Sequence, residues 1–205
     1  MIKSKLLVFL LAFFVSMGMP AMAAGNKAGA QGGQSKQVSA TLTQAEEDTL
    51  LWMREEEKVA RDVYLALYEV WGQSIFDNIA SSEQNHMDTI LNKIDQYALV
   101  DPALPVIGEF SNQALQTLYN QLVAEGSESY VAALTVGATI EDMDINDLLA
   151  AIAETDDLGL QNTYQNLLEG SKNHLRAFVG LLRNQGVNYK PQYISQELFD
   201  AILGV

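Results

Sequence analysis

Four stretches of the chain repeat their apolar residues in alternating steps of three and four, the spacing that gathers side chains on one face of an α-helix. The first carries Leu50, Met53, Glu57, Ala60, Tyr64, Leu67 and Trp71, and the second Phe76, Ile79, Glu83, His86, Ile90, Ile94 and Tyr97. The third carries Tyr130, Leu134, Gly137, Glu141, Asp144, Leu148 and Ile152, and the fourth Tyr164, Leu167, Ser171, His174, Phe178 and Leu181. Amphipathic helices of this length bury their stripes by packing together, so the pattern predicts an all-α four-helix bundle. Each stripe is broken near its middle by polar residues, and in a bundle those middles can meet at one level.

Local signals place the ends of the elements. Thr43-Gln44-Ala45-Glu46 has the form of a capping box, and Gly72 follows Trp71 as a stop. The second helix is expected from Ser74 to Ala98, before Asp101-Pro102, Pro105 and Gly108 break the pattern. A short helix from Asn112 to Ala124 then sits in the crossover, and Ser127 opens a third long helix reaching Ala153. Asp156 and Asp157 lie where the fourth needs caps; it runs to Gln185, and after Pro191 a short C-terminal helix starts at Ser195. No segment reads as a strand.

The first residues have another layout. Lys3 and Lys5 precede an apolar run from Leu6 to Val15 and then Ala21-Met22-Ala23, which predicts a cleavable signal peptide over 1–23, cut after Ala23 or Ala24. The run is too short to cross a bilayer comfortably. Residues 24–41, rich in Gly and Ser, read as a flexible leader, and 42–205 as one domain. The mature protein is therefore expected to be exported, periplasmic or secreted, and free of the membrane after cleavage. With no cysteine, neither a lipid-anchored amino terminus nor a disulfide framework is available. Removing Lys3 and Lys5 leaves about 10 basic against 26 acidic residues, which argues against nucleic acid as a partner.

A buried carboxylate without a partner costs several kcal/mol or takes up a proton, so several at one core level call for positive charge. A divalent metal supplies it, and the candidate ligands are Glu57, Glu83, His86, Glu141, Asp144 and His174. The halves of the chain echo each other, Glu57 followed by Glu83-x-x-His86 and Glu141 followed by Ser171-x-x-His174, as suits a two-metal site. For a single residue, a salt bridge is the competing explanation; Glu57 could pair with Arg61 one turn along.

The residues Glu57-Lys58-Val59-Ala60-Arg61-Asp62-Val63-Tyr64 resemble the rubrerythrin pattern Glu-x-x-Ala-Arg-x-x-Tyr, and Ser82-Glu83-Gln84-Asn85-His86 resembles its second-helix ligand motif. Gly137-Ala138-Thr139-Ile140-Glu141 fits the third helix. More narrowly, the phrases around Glu57 to Tyr64, Ala133 to Leu148 and Ser171 to Phe178 resemble an uncharacterised prokaryotic ferritin-like family, domain of unknown function 2202, over Leu42 to Leu203. The resemblance implies a ferritin-like bundle with a carboxylate site for two iron ions, or iron and manganese. Ser171 departs from it, standing where the pattern has its fourth glutamate. Asp144, one turn beyond Glu141, is the candidate replacement; Glu169 is turned off the stripe.

Three functional readings follow. The first is a non-haem di-iron or iron–manganese site reacting with oxygen or peroxide, its electrons supplied by an external donor because the chain has no cysteine for a rubredoxin centre. Tyr64 would orient a ligand carboxylate there, or serve only as a core tyrosine. The second is a metal-sequestering or sensing protein without turnover. The third is a structural bundle, open to oligomerisation, in which Arg61 and Arg176 neutralise a degenerate site.

Overall fold

A computed structural model describes residues 41–205, so the expected signal peptide and leader lie outside the described residues apart from residue 41. The described chain is all-helical, six helices with no strand: α1 (Gln44–Trp71), α2 (Ser74–Gln96), α3 (Gln113–Gly126), α4 (Tyr130–Glu154), α5 (Leu158–Asn184) and α6 (Gln196–Leu203). None of the described helices is long and apolar enough to cross a membrane. The four long helices form a bundle in which α1 packs on α2 and α4, and α5 on α4 and α2. Two-residue and three-residue connectors join α1 to α2 and α4 to α5, so each pair is a helical hairpin. The crossover from α2 to α4 carries α3, which covers the outer side of α1.

Capping explains most boundaries. Thr43 and Glu46 form the expected reciprocal capping box, and Gly72 takes the left-handed conformation that ends α1. Asn112, Asp157 and Ser195 each accept a bond from a free amide at the start of α3, α5 and α6. Two expectations shift. The second helix ends at Gln96 rather than Ala98, because Ala98 itself adopts a positive φ of 56°. The third long helix is capped by Ser129, whose hydroxyl accepts from the Ala132 amide, while the Ser127 hydroxyl donates back to the Val123 carbonyl and closes α3.

The stripes are the core. Leu50, Tyr64, Leu67, Phe76, Ile90, Ile94, Leu134, Leu148, Leu167 and Phe178 are all fully or almost fully buried. Helix α1 departs from the one-faced pattern: between Met53 and Ala60 every residue is buried, including Arg54, Glu55, Glu56 and Lys58. The crossover supplies the partners on that outer side. Arg54 bonds Asp101 and the Met87 carbonyl, and Lys58 bonds Asp62 and the carbonyls of Val106 and Glu109 while lying 4.2 Å over the Phe110 ring. At the interface of α4 with α5, Gly137 admits the Phe178 ring so closely that a Cβ would stand 2.5 Å from it.

Two glycines inside these helices should therefore respond oppositely to the same change. Gly137→Ala overpacks the core and is expected to lower unfolding free energy by about 1–3 kcal/mol, less any gain in helix propensity. Gly180→Ala adds a methyl where nothing lies within 4 Å, and is expected to raise it by up to about 1 kcal/mol. Urea denaturation of both variants checks the pair.

Candidate metal centre

The polar interruptions of the four stripes do meet. Helix α1 brings Glu57, α2 brings Glu83 and His86, α4 brings Glu141 and α5 brings His174. The three glutamates are at most 2% exposed. Glu57, Glu83 and His86 each offer an atom within 4.8 Å of the others, and so do Glu83, Glu141 and His174. Glu83 is common to both groups. Its Oε2 lies 2.8 Å from Nδ1 of His86 and its Oε1 lies 2.8 Å from Nδ1 of His174. Outside this pair stand Glu57, 3.2 Å from His86 Nδ1, and Glu141, 3.4 Å from His174 Nδ1. The two rings stack at 5.6 Å. The echo between the halves of the sequence is thus a pseudo-symmetric arrangement about one central carboxylate.

Several of these atoms converge without bonding. His174 Nδ1 and Glu83 Oε1 are close, yet neither has a partner aligned as a hydrogen bond, and Glu57 Oε1 is also unsatisfied. Buried polar atoms are rarely left so. Three nitrogen and oxygen atoms left without a hydrogen bond at one level, His174 Nδ1, Glu83 Oε1 and Glu57 Oε1, fit a divalent transition metal.

Neighbouring groups fix the donors. The Tyr64 hydroxyl donates to Glu141 Oε1 and lies 3.3 Å from the Gly137 carbonyl, so this tyrosine does orient a site carboxylate. His174 Nε2 is 2.9 Å from the Ser82 hydroxyl. A proton on Nε2 donated to Ser82 leaves the Nδ1 lone pair free for metal. On the other ring, a Cβ at position 170 would stand 2.5 Å from His86 Nε2, so only glycine there leaves His86 its place. Ser82 and Gly170 were not among the expected site residues. An interior glycine beside Ser171 is a visible signal of close approach, whereas a serine flanking a stripe carries none.

Asp144 is buried beside the Ser171 hydroxyl and has an unpartnered Oδ1, but it belongs to neither group of three. Ser171 itself donates to the Leu167 carbonyl. The arginines take other partners: Arg61 bonds Asp62 and Gln84, and Arg176 bonds the Ile202 carbonyl and Asn173. Pairing of Glu57 with Arg61, and neutralisation of the site by Arg61 and Arg176, are therefore corrected. Both guanidinium groups find acceptors on the outer sides of their helices.

The electrostatics show what holds the metal-free site together. Burial pushes the His86 ring down, but the charges of Glu57 and Glu83 more than reverse this, up to about 12; Glu141 and Glu83 likewise bring His174 to about 10. Burial raises Glu83, but contact with the two rings lowers it to about 2. Burial dominates at Glu57, raising it to about 7, and it raises Glu141 and Asp144 as well. The imidazolium rings thus occupy the electrostatic role of the cations.

Proton linkage gives these shifts a sign. The stability contributed by the two histidines is complete below their ordinary value of 6.5 and is lost as pH rises through about 10 and 12. Glu57 acts in the same direction between its ordinary 4.5 and about 7, whereas the contribution of Glu83 is lost only as pH falls from 4.5 towards 2. The melting temperature of metal-free protein is expected to fall between about pH 5 and pH 9, while the rise produced by a fixed Mn²⁺ concentration grows, because metal must displace these protons. Calorimetry with and without metal measures both trends. Ser82→Ala is expected to weaken Mn²⁺ binding by about 10–100-fold with little change in the metal-free melting temperature, read by titration calorimetry.

Comparison with known proteins places the chain. The family model for an uncharacterized protein domain, DUF2202, matches residues 46–205. Uncharacterized protein MJ0754 of Methanocaldococcus jannaschii is 50% identical over 163 residues, covering 79% of this chain and 88% of the relative. The crystal structure of hypothetical protein MJ0754 from Methanococcus jannaschii superimposes with a TM-score of 0.79 at 47% identity, covering 86% of this chain and 98% of that one. With the family model spanning the whole bundle and both ligand groups inside the matched residues, the chain belongs to the DUF2202 family.

Proposed function

We propose that this chain is an exported protein of ferritin-like four-helix architecture, with a short helix in the crossover and another at its end, whose centre binds two divalent metal ions and reacts with oxygen or peroxide. The observation that carries the proposal is the 2.8 Å approach of His174 Nδ1 to Glu83 Oε1 without an aligned hydrogen bond, with Glu83 shared between two ligand groups. Glu57, Glu83 and His86 would hold one ion, and Glu83, Glu141 and His174 the other, with Asp144 as the additional carboxylate. Glu57, Glu83, Glu141 and Asp144 supply four negative charges, which balance two divalent ions when the imidazoles are neutral.

Iron, or iron with manganese, would supply the electrons that reduce oxygen or peroxide. The chain's own residues set the surroundings. Glu83 spans the two histidines, the Tyr64 hydroxyl holds Glu141 in place, and Ser82 orients His174. The three glutamates are at most 2% exposed, so the centre would be kept from bulk water. Re-reduction would need an external donor. Export rests on the signal-like residues Lys3, Lys5 and Leu6 to Val15, and oligomerisation remains open to the bundle.

A second reading, metal sequestration or sensing without turnover, draws on Ser171. Its hydroxyl is committed to the Leu167 carbonyl, so α5 provides one ligand where the ferritin-like pattern provides two.

The deciding experiment is metal analysis of natively purified mature protein by mass spectrometry, then anaerobic Fe²⁺ titration and exposure to oxygen. The expected result is close to two ions per chain with an oxidation-dependent absorbance change, both abolished in the Glu83→Ala, His86→Ala double variant. One ion and no absorbance change would replace this reading with sequestration. Tight binding that survives the double change would overturn the centre itself.

A further inference from the structure

Four aromatic contacts of the bundle share members and join into a single file. Tyr64 meets Phe178 at 5.4 Å between ring centroids, Phe178 meets Phe76 at 5.9 Å, Phe76 meets Tyr130 at 6.5 Å and Tyr130 meets Trp71 at 6.2 Å. All four long helices contribute: α1 supplies both ends, α5 Phe178, α2 Phe76 and α4 Tyr130. The pairs Phe110 with Tyr119 and Tyr189 with Phe199 join no such file among the described residues.

The two ends have different surroundings. Tyr64 is fully buried and its hydroxyl donates to Glu141, one of the candidate ligands. Phe178 and Phe76 are fully buried behind it. Tyr130 and Trp71 are half-buried, and Trp71 is the last residue of α1, next to exposed Val70 and Gly72. Its indole N–H donates to the Gly126 carbonyl, which fixes the ring in place. Tyr64 and Trp71 lie about 10 Å apart along the axis of α1, two helical turns. The file therefore runs from a carboxylate of the centre to the rim of the bundle.

Packing accounts for the two phenyl rings, but the file carries oxidisable rings at both ends. Phenol and indole give up one electron far more readily than phenyl, so Tyr64, Tyr130 and Trp71 can each hold an electron vacancy, with Phe178 and Phe76 bridging the two tyrosines. Reduction of dioxygen to two waters takes four electrons and four protons, of which two ferrous ions would supply two electrons. We propose that Tyr64, Tyr130 and Trp71 form a one-electron relay that brings the other two from the rim, with Trp71 as the point where an external one-electron donor delivers them. The proposal rests on the reading of the centre as a two-iron site that reacts with oxygen. In each passage Tyr64 loses an electron and its hydroxyl proton moves to Glu141. An electron from Tyr130 refills Tyr64 and the proton returns; Tyr130 releases its own proton to water and regains it when Trp71 refills it in turn. Trp71 keeps its N–H proton on the Gly126 carbonyl and is restored by the donor. Two passages, with four protons from solvent, complete the two waters. Without a donor the two vacancies stay on Trp71 and Tyr130.

The test uses the mature full-length chain, loaded anaerobically with Fe²⁺ and mixed with oxygenated buffer, with or without ascorbate as the one-electron donor. Radicals are read by freeze-quench electron paramagnetic resonance and oxidised residues by peptide mass spectrometry. Trp52, half-buried on the same helix but outside the file, is the control, because oxidant released to solvent would attack both tryptophans. Wild type without ascorbate is expected to show tryptophanyl and tyrosyl signals, with oxidation at Trp71 well above that at Trp52, and ascorbate should abolish both. Tyr130→Phe, which removes only a hydroxyl, should lose the excess oxidation at Trp71. Trp71→Phe should leave a longer-lived tyrosyl signal. Neither change should alter iron uptake, and circular dichroism confirms that both variants are folded. Bound iron that oxidises while Trp71 is modified no more than Trp52, or equally in Tyr130→Phe, would overturn the relay and leave the centre standing. No iron uptake by wild type would overturn both.

Discussion

The fold is organised around negative charge held in an apolar interior. Three glutamates from α1, α2 and α4 meet at one level, and the groups that offset them there are two imidazole rings. Glu83 is the pivot. It is the one carboxylate in contact with both rings, and its depressed pKa beside the raised values of Glu57 and Glu141 shows that the rings' charge is spent mainly on it. Two rings cannot satisfy three carboxylates and Asp144 besides, and the deficit appears as atoms without partners. In a metal-free chain this level is the weak point of the core. In the two-ion reading proposed above, one ion would join α1 to α2 and the other α2 to α4 and α5.

Other buried charges in the same protein show that the deficit is local. Arg54 and Lys58 lie on the same turns of α1 and are each matched by a carboxylate and backbone carbonyls. Asp142, adjacent to Glu141, is completely enclosed by one hydroxyl and three amides and pins the C-terminal segment to α4. Those groups are structural: each has the partners its charge requires. The residues that lack them are the ones facing the bundle axis, and Glu56 behind them. The division between satisfied and unsatisfied charge separates what builds the fold from what the fold can bind, using only hydrogen-bond geometry.

Much of this was legible in the chain itself. Steps of three and four carried the bundle, because each long helix buries one coherent face, and they put on those faces Glu57, Glu83, His86, Glu141 and His174, which the structure brings together. Periodicity assigns a residue to a face, however, and says nothing of what covers the opposite face. The burial of Arg54, Glu55 and Lys58 depends on the crossover folding back over α1, a long-range event with no local signature. Ser82 escaped for a related reason: its role depends on a ring 92 residues away. The end of α2 escaped because alanine gives no sign of a left-handed turn, which here is imposed by the chain's departure into the crossover.

Ser171 then acquires a physical interpretation. In the ferritin-like pattern α5 would bring a glutamate to the histidine one turn along, and that carboxylate would need the space beside α4. Here Asp144 occupies that side, next to the Ser171 hydroxyl, and a long acidic chain from α5 would crowd a carboxyl already raised by Glu57 and Glu141. A small hydroxyl bonded to its own helix at Leu167 adds neither bulk nor charge. On the proposed ferritin-like reading, Asp144 would supply from α4 the fourth negative charge that the pattern takes from α5.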